Sequence, residues 1–262
     1  MRHTKQVAVS RLRRRAWSRA GAVADVVLAG TTRRVLTFGS RVALLVAGAA
    51  FISCSVALTL WTDLGPGPLD VFIGAIREIT GLPLTIAVWV TVGSLTGAAW
   101  LLGRRAGVGT VAAPLLIGPM LQASVTALEM FDAPSSVVVR VALQFVAIAG
   151  IGLGSGALIV SGLGAGTGEL FAGAASDRVR RPESMVRPAI ELTWIVAGTA
   201  LGGPAGVGTV LVALFIGPSV ARGHRLVDAL AVRSVRGLAT THDAIALREI
   251  EAVEREIELV GR

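Results

Sequence analysis

Ala106-Gly107-Val108-Gly109-Thr110-Val111 returns 99 residues later as Ala205-Gly206-Val207-Gly208-Thr209-Val210. Four further pairs keep the same offset: Ile117-Gly118-Pro119 with Ile216-Gly217-Pro218, Leu64-Gly65-Pro66-Gly67 with Leu163-Gly164-Ala165-Gly166, Asp70-Val71-Phe72 with Glu169-Leu170-Phe171, and Arg41-Val42-Ala43-Leu44 with Arg140-Val141-Ala142-Leu143. Chance does not hold one ungapped register across so many positions. Residues 41–121 and 140–221 therefore read as two copies of one unit.

Each copy carries three apolar segments. They fall at about 42–61, 83–102 and 108–128 in the first copy, and at about 141–161, 188–203 and 206–221 in the second. A run of roughly twenty apolar residues crosses a ~30 Å hydrocarbon layer as a helix. The whole chain has 262 residues, 53% of them hydrophobic and only 16% charged, with a mean hydropathy of +0.71. A soluble domain carries about 25% charge, so the expected fold class is all-α: a polytopic membrane helix bundle with the lipid bilayer as its surroundings.

Three spans per copy force the second copy to enter from the opposite side, which makes two inverted-topology three-span repeats and about six transmembrane helices. Loop charges agree when the N-terminus is cytoplasmic. Loops 62–82 and 129–139 then lie outside and are predominantly acidic, while 103–107 and 162–187 lie inside and hold Arg104, Arg105, Arg178, Arg180, Arg181 and Arg187. This is the positive-inside pattern, and it puts both termini in the cytoplasm. Segments 188–203 and 206–221 are short, and Pro119 and Pro218 fall within the third segments. A five-span chain is the alternative count.

Outside the repeats the sequence changes character. Residues 1–40 form a basic arm; ten of the chain's 25 basic residues fall within its first 41 positions. Such an arm fixes orientation and meets anionic lipid. No stacking aromatics accompany the arginines, which argues against nucleic acid, and the arm does not read as a cleavable signal. Residues 122–139 form an extracytoplasmic loop, and 222–262 a cytoplasmic tail. From His242 the tail spaces Ala246, Ile250, Val253, Ile257 and Val260 like the seam of an amphipathic helix, a surface for packing on the membrane face or for a homodimer.

Chemistry-bearing residues concentrate in two places. Gly65 and Gly67 in the first copy, and Gly164 and Gly166 in the second, open amphipathic segments 65–79 and 164–180 that suit a short interfacial or re-entrant helix. Their amides can serve an anion at a helix start, or the glycines can simply permit close packing. Asp70 and Glu169 occupy equivalent positions just beyond. A carboxylate near lipid can carry a proton or hold a cation, or it can complement a helix dipole. Glu191 follows Arg187 by one turn, so an ion pair explains it, and a cavity-facing Glu191 would be a protonation site. A single cysteine, Cys54, excludes an intrachain disulfide, and the histidines show no metal-ligand spacing. No nucleophile, dinucleotide or phosphate-loop signature is present. The expectation is a non-enzyme without metal or cofactor.

The run Asp63-Leu64-Gly65-Pro66-Gly67-Pro68-Leu69-Asp70-Val71-Phe72, with Gly107-Val108-Gly109-Thr110 and Leu116-Ile117-Gly118-Pro119, resembles the YczE branch of the bacterial YczE/YyaS/YitT membrane proteins over roughly residues 40–220. The second copy departs from it, with Ala165 and Thr167 in place of the prolines and Glu169 in place of the aspartate. The resemblance implies a multi-pass protein of the bacterial plasma membrane, in some members linked to lipopeptide production, and supplies no catalytic residues. The functional expectation is a small secondary transporter or permease for a small-molecule or ion substrate. Its rival is a non-transporting scaffold or regulator that recruits a cytoplasmic partner.

Overall fold

Phe38 opens the first of eight α-helices in the computed structural model, which describes residues 36–164 and 166–238, the side chains of 232 and 234–238 excepted. The helices are α1 (Phe38–Trp61), α2 (Pro68–Thr80), α3 (Leu84–Leu101), α4 (Val108–Leu128), α5 (Val137–Ser161), α6 (Thr167–Val179), α7 (Glu183–Ala200) and α8 (Val207–Leu238). Among the described residues there is no strand. Helices α5 to α8 each begin 99 residues after α1 to α4 respectively. The chain divides into two compact units, Phe38–Val227 and the two chain ends; of the latter only 36–37 and 228–238 are described. The basic arm up to residue 35 and the amphipathic seam from Ala246 lie outside the described residues.

Local chemistry sets the helix boundaries. Pro68 takes the first position of α2, where its missing N–H costs nothing. Gly81 ends α2 in the left-handed conformation (φ 66°), returning its N–H to Arg77 O at 2.8 Å. Gly65 has φ 104° and backs onto Gly206, so both its backbone conformation and its surroundings demand glycine. Pro114 and Pro119 lie inside α4 without ending it. Neighbours donate to carbonyls around them: Trp89 Nε1 to Pro114 O (3.0 Å), Ser53 Oγ to Ile117 O (3.2 Å) and Thr85 Oγ1 to Gly118 O (3.1 Å). These bonds tie the proline-containing stretch of α4 to α1 and α3.

The centre of the Phe38–Val227 unit is the crossing of α1 with α5. Small residues let the two backbones meet. A Cβ on Gly48 would stand 2.7 Å from Gly154 O, and one on Gly154 would stand 2.7 Å from Gly48 O. This is close packing of the kind used where lipid removes the hydrophobic drive between helices. Helix α4 packs on α1, and Ser219 and Gly223 of α8 press on Gly152 and Gly156 of α5. Contacts also exchange between copies: α2 packs on α7, and α6 packs on α3.

Five helices are long and apolar enough to cross a membrane: α1, α3, α4, α5 and the Val207–Ala231 part of α8. Helix α7 is as long as α3 but holds Glu183, Arg187 and Glu191. Helix α8 runs on past residue 221, so the expected junction between second repeat and tail lies inside it. Apolar side chains such as Phe51, Val90, Leu115, Val146 and Leu214 stay exposed around the unit. An aqueous surface would not hold so many in one molecule, and a bilayer accepts them.

The α1–α5 crossing leaves no room for a branched side chain. Gly154→Val should lower stability by about 1–3 kcal/mol through overpacking. Gly97→Ala, where a Cβ meets nothing within 4 Å, should be neutral or stabilising because alanine is the better helix former. Thermal melts of both variants in detergent measure the contrast.

Candidate functional site

The two glycine-rich loops are each tied to the other copy's fourth helix, α8 or α4. Gly208 N–H donates to Leu64 O (2.6 Å), and Gly109 N–H donates to Leu163 O (2.9 Å). The two bonds correspond under the 99-residue offset. Thr110 Oγ1 receives Gly107 N–H and Thr209 Oγ1 receives Gly206 N–H, both at 3.2 Å. Gly65 and Gly164 are packed into these junctions: a Cβ on Gly65 would stand 2.6 Å from Gly206 N, and one on Gly164 would stand 2.6 Å from Thr110 Oγ1.

From these junctions α2 and α6 start, with the acids at the third residue of each helix. The Asp70 carboxylate accepts a hydrogen bond from Gly67 N–H. Glu169 curls over Gly166 so closely that a Cβ there would collide with its Oε2. Both acids thus complement the positive end of their own helix. Neither stops there.

Asp70 and Glu169 line one cavity of about 230 Å³. Its walls include Ile73, Val88, Val92, Ile117, Leu121 and Leu158, and its polar lining comprises Thr110, Ser155 and Thr167 besides the two acids. The lining follows α4 from Thr110 to Leu121, a rise of about 16 Å at 1.5 Å per residue. Glu191 does not line it. Glu191 instead receives Arg187 Nε at 3.2 Å, and Arg187 Nη2 reaches Glu169 Oε1 at 3.3 Å. One guanidinium therefore joins the two glutamates.

The first copy lacks this arrangement for a visible reason. Ninety-nine residues before Arg187 and Glu191 stand Val88 and Val92, both buried and both cavity wall. Among the described residues Asp70 forms no ion pair. Helix α2 is not one of the five spans, and burial among apolar side chains raises the Asp70 carboxyl to about 7, against the opposing effect of Gly67 N–H.

Gln144 was not singled out from sequence. Fully buried, it receives Thr62 Oγ1 (2.9 Å) through its Oε1 and donates from Nε2 to Gly65 O (3.1 Å). A lone amide in the apolar segment 141–161 was the available signal, since burying it demands partners. Its counterpart is Leu45, so this clamp serves one loop only. Thr167 was noted only as a replaced proline. Its hydroxyl is buried without a hydrogen-bond partner, at 8% residue exposure.

Helices of this length and apolarity, packed through glycines around an acid-bearing cavity, define a polytopic α-helical membrane protein. Residues 39–225 match the family of unknown function DUF6198, and the chain belongs to that family. No curated protein and no solved structure matches it.

Gln144→Leu copies the residue of the other repeat and strands Gly65 O. It should cost about 1–3 kcal/mol, the penalty for an unpaired buried acceptor, and speed amide exchange across residues 62–67. Melting and hydrogen-exchange mass spectrometry of the variant check both.

Proposed function

We propose that the protein is a small secondary transporter, with the cavity between Asp70 and Glu169 as its substrate path. The observation that carries this reading is that two acids from equivalent positions of a duplicated unit line one cavity. Ionisable groups held among apolar walls are costly and mark ion or substrate paths. Paired short helices that start at such a site, one from each repeat, are the arrangement used by inverted-repeat carriers.

The reading includes the topology. Helix α7 crosses as the sixth span, which makes the repeats inverted and leaves both termini cytoplasmic in a bacterial plasma membrane. Exposed Leu192 and Val196 give α7 an apolar stripe for lipid, while Arg187 and Glu191 neutralise each other on its inner side. The loop charges support the same orientation. The motif around Asp63–Phe72 supports kinship with the YczE branch.

Two measurements test it. Single cysteines in 103–107 and in 129–139, placed in a Cys54→Ser background, should react with impermeant reagents from opposite sides of the membrane. In proteoliposomes under an imposed proton gradient, wild-type protein should move a substrate or protons above background, and Asp70→Asn should reduce that flux at least tenfold. Background flux across a broad panel with correctly inserted protein sinks the transporter reading.

A further inference from the structure

The cavity also constrains what it accepts, and this step rests on the transporter reading for its purpose but not for its test. Asp70 has no ion-pair partner, and Glu169, Arg187 and Glu191 together sum to one negative charge. No basic side chain lines the cavity. Helices α3 and α7 both pack on α2 and on α6; α3 carries no charged residue, α7 brings Glu183, Arg187 and Glu191, and Arg104 beyond α3 is paired with Asp177 of α6.

Anions are disfavoured. The helix starts that would attract them are covered by the chain's own carboxylates at Gly67 and Gly166. A metal cation is poorly served as well. Hard cations take about six or more oxygens, whereas most of this lining is aliphatic. A neutral apolar occupant would leave the Asp70 carboxylate without a counter-charge and the Thr167 hydroxyl without a partner. The volume equals that of about eight waters at ~30 Å³ each.

We propose that this cavity binds a small protonated amine with an apolar body, its N–H groups donating to Asp70 and to Thr167 Oγ1. The apolar body lies against Val88, Val92, Ile117 and Leu121. Thr167 is specific to the second repeat, where proline stands in the first, so the amine has one orientation along the path.

The test is calorimetric titration of the full chain in detergent with benzylamine. It is run at about pH 8, above the Asp70 value and below that of an alkylamine. Saturable binding is expected, with benzyl alcohol and phenylacetate, which share the ring, giving none. Asp70→Asn should weaken binding about 30-fold or more, as expected for loss of a buried counter-charge. Thr167→Val should weaken it about fivefold, the worth of one hydrogen bond, without lowering the melting temperature, because its hydroxyl has no partner among the described residues. A stable wild type that ignores benzylamine overturns the proposal. So does equal binding of the alcohol or the carboxylate, or unchanged binding by Asp70→Asn. Amine binding without flux removes the transporter reading alone, and flux without amine binding removes this proposal alone.

Discussion

Everything else in the Phe38–Val227 unit depends on how loop backbone is satisfied without water. The turns that precede α2 and α6 must pair their amides and carbonyls inside the protein, because hydrocarbon offers no partner. The solution is reciprocal: Leu64 O takes Gly208 N–H, and Leu163 O takes Gly109 N–H. Each bond requires two backbones to touch, so glycine stands on both sides of each junction. That requirement explains why Gly-Val-Gly-Thr and Leu-Gly are identical in the two copies. It also interlocks the repeats, since neither loop can leave without stranding a group on the opposite copy.

Upon this common frame the copies diverge in their side chains, several of them around the cavity. Val88 and Val92 line the first copy's wall where the second copy has Arg187 and Glu191. Gln144 clamps one loop, while its counterpart Leu45 packs in a hydrophobic cluster. Thr167 brings an unpaired hydroxyl where Pro68 brings none. Backbone hydrogen bonds hold the symmetry because their geometry is fixed. The cavity face tolerates change because each substitution there needs only volume and charge balance.

Much of this was legible in the sequence for physical reasons. Spans of apolar residues and a constant offset survive in one dimension, so the positions of α1, α3, α4 and α5 and the short helices after each glycine-rich turn could be read directly. The end of α8 could not. Hydropathy falls at Arg222, but helix continuation depends on the absence of a strong breaker, and no proline follows Pro218. The meeting of Asp70 with Glu169 was equally hidden, since nothing in local spacing brings residues 99 apart to one cavity. Arg187 could be paired with Glu191 from an i,i+4 spacing, whereas its reach to Glu169 required the packing of α6 on α7.

The unequal surroundings of the two acids give the cavity a polarity that an exact repeat could not have. Glu169 shares a guanidinium with Glu191, so it keeps a counter-charge beside it whether or not anything occupies the space, and the three groups sum to one negative charge. Asp70 faces valines and must find its partner in a proton or in a ligand. In the proposed transporter a proton and a cation would compete for this one carboxylate, which is one requirement for exchange. Moving Arg187 into the first copy would end the competition by supplying a permanent partner. In that reading Val88 and Val92 contribute by what they withhold, an internal counter-charge for Asp70.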